Sequence, residues 1–166
     1  DVIALAPGVH RFNQKLRLGA AGRSGAPITV RGAAVGANGS VIEFNTTEGF
    51  LVTQPHWVFE NLTIRGICKS DKECEHAFHI VGKAEYITLR NNHIEDFNAH
   101  IKVNGLAGDW PDHGTLSHNT LTNTRPRDTR NPVTPFDLVG ANFWTLTDNL
   151  VSNFVKAAGN KISFGI

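Results

Sequence analysis

Apolar and polar residues alternate along this chain in short runs that recur at a nearly fixed stride. One phrase reads VFENLTI at 58–64, TLRNNHI at 88–94, TLSHNTL at 115–121 and TLTDNLV at 145–151. From Phe59 to Leu89, Leu116 and Leu146 the steps are 30, 27 and 30 residues. A weaker copy, ITVRG, stands at 28–32. Upstream of the phrase lies a second alternation: FHIVG (78–82), IKVNG (101–105), FDLVG (136–140) and ISFG (162–165), with FLVT (50–53) as an earlier member. Period-two alternation marks a strand with one buried face. A repeat of this length marks a solenoid, in which residues far apart in sequence become neighbours on successive coils. Each coil is predicted to hold a first strand of the IKVNG type, a turn, and a second strand of the TLSHNTL type. Like strands stack in parallel about 4.8 Å apart.

Composition supports an all-β chain. The 166 residues include 16 Gly and no Met, and no segment sustains a 3.6-residue apolar period. They suffice for one domain, 1–166, with a real core. A formal charge of +1 gives no basis for broad nucleic-acid or anionic-membrane binding. No apolar run reaches the length of a membrane span, and a monomer is expected. The chain opens inside an apparent strand, DVIALAPG, and stops at KISFGI as another coil begins. With neither end capped, the expectation is a fragment of about five coils.

Asn92, Asn119 and Asn149 fall at one position of the phrase. Buried Asn side chains at a turn can bond up and down a stack and satisfy backbone groups that a bend leaves unpaired. In the first copy Leu62 takes that place and Asn61 comes one residue early, so the ladder is predicted to start later. The apolar–x–apolar–x–x–Asn–x–apolar phrase (Ile87, Leu89, Asn92, Ile94) and the opening DVIALAPGVHRF resemble the right-handed parallel β-helix of the pectate-lyase-like superfamily. The resemblance spans roughly residues 28–165. It implies the fold and its hand. That architecture hosts lyases, hydrolases, epimerases, adhesins and passive scaffolds, so function must be read from the site.

Long connections break the stride at 65–77 and 122–135, and LAGDWPDHG follows Gly105. Loops on a rigid scaffold are where sites tend to lie. If Phe78, Ile80, Ile101, Val103, Phe136 and Leu138 point inward, one outward column runs His79, Lys102, Asp137 and then Ser163. His100 and Asn104 flank Lys102 on the same outward face, each about 7 Å away. This arrangement suits an acidic, uronate-containing polysaccharide. β-Elimination needs the sugar carboxylate neutralised and the neighbouring proton removed by a base. Lys102, with Arg125 or Arg127, could neutralise; His79 or His100 could be the base. Asn104 and Asp137 would line the substrate, and Trp110 could stack on a sugar ring. The resemblance implies a further option: Lys102 as base and Ca²⁺ as neutraliser, held by Asp109, Asp112 and Asp137.

The same residues also fit a non-catalytic glycan-binding or scaffold module. An outward face carries polar residues in any case, and Lys102 beside Asp137 can be a simple cross-strand ion pair. The segment TRPRDTRNP (124–132) can be a solvated, charge-balanced loop. A hydrolase of this architecture would need clustered carboxylates, yet no Asp-Asp dipeptide occurs, and WPDH at 110–113 only echoes a calcium motif. There is no phosphate loop, Gly-x-Ser-x-Gly or HExxH. Cys68 and Cys74 lie in GICKSDKEC, followed by His76 and His79. Two cysteines alone make no complete zinc site, so they form either a redox or metal pair or a disulfide closing a surface loop. A disulfide would place the chain in an oxidising compartment, here the bacterial periplasm, the cell surface or the medium.

Overall fold

In the computed structural model, which describes residues 1–36 and 38–158, the chain forms a parallel β-helix. The first coil holds β1 (Val2–Ala4), β2 (Gly8–Phe12) and β3 (Leu16–Leu18). The second holds β4 (Ile28–Arg31), β5 (Ser40–Phe44) and β6 (Glu48–Val52). The third holds β7 (Trp57–Glu60), β8 (Leu62–Gly66) and β9 (His76–Val81). The fourth holds β10 (Thr88–Arg90), β11 (His93–Glu95) and β12 (Ala99–Asn104). The fifth holds β13 (Thr115–Ser117), β14 (Thr120–Thr122) and β15 (Thr134–Val139). Strands β16 (Thr145–Thr147) and β17 (Leu150–Ser152) extend two of the sheets. The first strands of the coils form sheet A, the second sheet B and the third sheet C, all paired in parallel. ISFG at 162–165, with Ser163, lies outside the described residues.

Each coil therefore has three strands, not two. The phrase expected to be one strand is a corner between sheets A and B. Its central residue sits in the left-handed region: Asn61 (φ 58), Asn91 (φ 51), His118 (φ 56) and Asp148 (φ 55). Asn and Asp tolerate that region because their short polar side chains bond locally. Period-two reading missed the bend because its apolar residues stay inward on both sides of it.

The next position carries the amide ladder. Asn92 Oδ1 accepts from the Leu62 backbone at 3.1 Å, and Asn92 Nδ2 donates to the Phe59 carbonyl. Asn119 Oδ1 accepts from both the backbone N and Nδ2 of Asn92, while its own Nδ2 reaches Leu89 O and Asn149 Oδ1. The ladder starts at Asn92, as Leu62 predicted. We expect Asn119→Leu to cost about 2 kcal/mol, because it leaves buried donors of Asn92 and the Leu89 carbonyl unpaired. Chemical denaturation reads this directly; an unchanged midpoint would show that the ladder adds no net stability.

Inside, apolar columns stack in register. Phe50, Phe78, Ile101 and Phe136 are one column of sheet C. Phe59, Leu89 and Leu116 are one of sheet A, and Ile42, Ile64, Ile94 and Leu121 one of sheet B. The Phe50 ring lies 4.9 Å from Phe78 and 5.2 Å from Phe44 and Phe59. Register of this kind fixes which residues of sheet C must face out.

Candidate functional site

The outward column forms as the alternation requires. Leu51, His79, Lys102 and Asp137 are direct cross-strand partners on β6, β9, β12 and β15, and Arg17 extends the line on β3. The Lys102 ammonium donates to Asp137 Oδ2 at 2.7 Å, and both side chains are about one-fifth exposed.

His79 is held from both sides. Its Nδ1 lies 2.9 Å from Glu48 Oε1, and its Nε2 lies 2.8 Å from Asn104 Oδ1. Asn104 donates through Nδ2 to the Gly105 carbonyl, which turns its oxygen towards the ring. Two side-chain oxygens face the two ring nitrogens and fix the orientation of the ring. Lys15 pairs with the other oxygen of Glu48. Burial would raise the Glu48 carboxyl, but the Lys15 hydrogen bond and the charge and hydrogen bond of His79 outweigh it and hold it below its ordinary value. Glu48 was missed in the sequence. It stands two residues before Phe50 at the start of the EGFLV strand, 31 residues from its histidine. Alternation gave no signal for it, because position 48 shares the inward parity of Phe50 and Val52.

Three expected members do not join this group. His100 is fully buried, not outward. Its ring stands 4.6 Å from Phe154 and 6.1 Å from Phe97, with Nε2 at 3.2 Å from Asn123 Oδ1. Burial pushes its pKa down to about 3. Arg125 and Arg127 are drawn instead to Asp71, which is 4% exposed. Arg125 binds both Asp71 oxygens, at 2.8 and 2.6 Å. Arg127, 3% exposed, reaches Asp71 Oδ1 at 3.1 Å and Asn98 Oδ1 at 3.1 Å. The Asp128 backbone adds a fourth contact. A buried carboxylate must be paired, and this one ties the 67–75 connection to the 123–133 connection. TRPRDTRNP is thus not a freely solvated loop. The 67–75 connection also contains the Cys68–Cys74 disulfide, with a Cα–Cα distance of 5.7 Å.

Asp109, Asp112 and Asp137 do not converge on one point. Asp112 accepts from Asn142, Asp109 sits 4.0 Å from Lys83, and Asp137 holds Lys102. Among the described residues no group of three His, Cys, Asp or Glu side chains is placed to hold a metal ion. Trp110 is half-exposed. Its indole lies against Gly105 and Gly140, at the edge of sheet C just beyond Asn104. It borders an open cavity of about 460 Å³, lined also by Gln54, Lys83, Glu85, Asp109 and Asp112.

Fold and site together define a parallel β-helix protein with a polar, cation-bearing column on one sheet and a tryptophan-edged cavity beside it. Comparisons with protein-family models, curated proteins and solved structures gave no match. No helix among the described residues is long and apolar enough to cross a membrane.

Proposed function

We propose that this protein is an extracytoplasmic, carbohydrate-active β-helix protein of the pectate-lyase-like kind. It binds an acidic, uronate-containing polysaccharide along the outer face of sheet C. The observation that carries this reading is the column itself: Lys102 and His79 on adjacent strands, flanked by Asn104 and by Arg17 two strands away. Lys102 and Arg17, two cations on one outward sheet face, suit carboxylates spaced along a sugar chain. The disulfide fits an oxidising compartment.

The chemistry this geometry supports is eliminative cleavage. Lys102 would release Asp137 in part and neutralise the uronate carboxylate. His79, with Glu48 orienting Nδ1, would take the proton from the carbon beside the carboxylate through Nε2 once substrate displaces the Asn104 amide. The electron pair forms the new C=C bond as the glycosidic C–O bond breaks, and the departing oxygen takes a proton from that imidazolium or from water. A carboxylate behind an imidazole fixes the ring and its tautomer. A second reading, a non-catalytic glycan-binding module, draws on one observation. The Lys102 ammonium and both nitrogens of His79 already have partners.

One assay separates the two. A panel of uronate polysaccharides is incubated with the protein, with and without Ca²⁺. Ultraviolet absorbance of unsaturated product and equilibrium binding are both followed. We expect Lys102→Ala to weaken binding about tenfold, the worth of one charge-assisted contact. His79→Ala is expected to slow product formation about a hundredfold while binding changes little. Binding without product on any substrate leaves the module reading. Absence of both sinks the proposal.

A further inference from the structure

The cavity beside Trp110 has the opposite charge to the column it adjoins. Glu85, Asp109 and Asp112 line it, with Lys83 the one cation among the described residues that do so. Asp112 is already occupied by Asn142. Asp109 has only Lys83 at 4.0 Å, and the Glu85 side chain has no hydrogen bond or ion pair among the described residues. Two carboxylates thus face the cavity with acceptor capacity unspent. A uronate placed there would meet like charge in a partly desolvated site.

The indole is built in as a platform. A Cβ on Gly105 would lie 2.4 Å from the Trp110 ring, and one on Gly140 also 2.4 Å. Gly140 has φ +73. Gly105 does not lie in the left-handed region, so its lack of a side chain is explained by the close approach of the ring. The ring is therefore held at the sheet edge, where it is half exposed and borders the cavity. Asn104, the residue before Gly105, is a partner of His79. One sugar chain lying along the sheet would span both places, since Lys102 is two residues, about 7 Å, from Asn104.

We propose that this cavity is a second sugar subsite that takes a pyranose without a carboxylate. Its apolar face lies on Trp110, and its hydroxyl or amide hydrogens are directed at Glu85 and Asp109. The inference rests on the acidic-polysaccharide reading above and narrows it. The ligand is a mixed polymer in which uronate is interspersed with uncharged sugar, not a homopolymer of uronate.

The test measures affinity of the full chain for three oligosaccharides of equal length, by calorimetry. One is a homopolyuronate, one alternates uronate with N-acetylhexosamine, and one is a neutral N-acetylhexosamine oligomer. The alternating ligand is expected to bind about tenfold more tightly than the homopolymer, the worth of one aromatic contact with its hydrogen bonds. Trp110→Ala and, independently, Gly105→Ala should erase that preference, bringing affinity for the alternating ligand down to that for the homopolymer. Glu85→Gln with Asp109→Asn should raise homopolymer affinity. Equal or better binding of the homopolymer by the native chain overturns the subsite. So does a loss in Trp110→Ala that is equal for both acidic ligands. The two readings fail separately. If Lys102→Ala weakens neither acidic ligand, the acidic-column reading falls, while Trp110-dependent binding of the neutral oligomer still decides the subsite, its absence overturning it.

Discussion

Asp71→Ala is expected to destabilise the fold by about 3–5 kcal/mol, the range for removing one partner of a buried ion pair. Asp71 and Arg127 are both nearly inaccessible, at 4% and 3% exposure. Without the carboxylate, the Arg127 guanidinium stays buried, with Asn98 and a 3.9 Å contact to Asp96 as its remaining side-chain partners among the described residues. Arg125→Ala provides the contrast. Its side chain is about half exposed, so losing it should cost at most about 1 kcal/mol although its two contacts to Asp71 are shorter. Burial, not hydrogen-bond length, decides which arginine matters. Denaturant midpoints of the two variants check this, and equal losses would refute it. Burial alone would raise the Asp71 carboxyl. The hydrogen bonds of Arg125 and the Asp128 backbone, with the charges of Arg127 and Arg125, outweigh it and hold it below its ordinary value. The sign follows. A carboxyl depressed in the folded state contributes stability that is complete above its unfolded value, about 3.9, and is lost as pH falls through the folded value.

The same network explains what the sequence could and could not show. Strand alternation and a constant stride are enough to place His79, Lys102 and Asp137 side by side, because register in a stacked coil follows from which residues are apolar. The Asn ladder was legible for the same reason, down to the copy where Leu62 interrupts it. What the repeat does not encode is where a non-repeating side chain goes. Arg125 and Arg127 look alike beside a groove; only the burial of Asp71, more than 50 residues earlier in sequence, draws them off. Glu48 was hidden because it shares the inward parity of Phe50 and Val52, so alternation turns it towards the core and away from His79. The corner at Asn61, Asn91, His118 and Asp148 was read as extended because three sheets and two give the same spacing of apolar residues.

His100 was the largest error of placement, and it carries the second large effect. Lowering the pH from 6.5 to 4.5 is expected to cost about 2–3 kcal/mol of stability through this residue alone, at about 1.4 kcal/mol per pH unit. In the unfolded chain imidazole takes up its proton near pH 6.5. In the folded chain burial against Phe97 and Phe154 delays uptake until about pH 3; the Asn123 hydrogen bond opposes this without overcoming it, and the Arg127 charge adds to it. Between those values the unfolded state binds one more proton, so stability falls as pH falls. His76 acts in the same direction, since burial also lowers it. The carboxylates that are depressed in the fold, Glu48, Glu60, Glu95 and Asp71, begin to lose their contribution only at about pH 5 and below, so most of this window belongs to histidine. His100→Gln keeps a donor for Asn123 and removes the titration. We expect it to cost about 1 kcal/mol at pH 7 and to shrink the loss between pH 6.5 and 4.5 by about 2–3 kcal/mol. If the variant and the native chain lose stability in parallel, the neutral buried ring is not the source. A ring that stays neutral and enclosed throughout this range is removed from the proton chemistry proposed for the column, which leaves His79, partly exposed and bonded to Glu48, as the imidazole there.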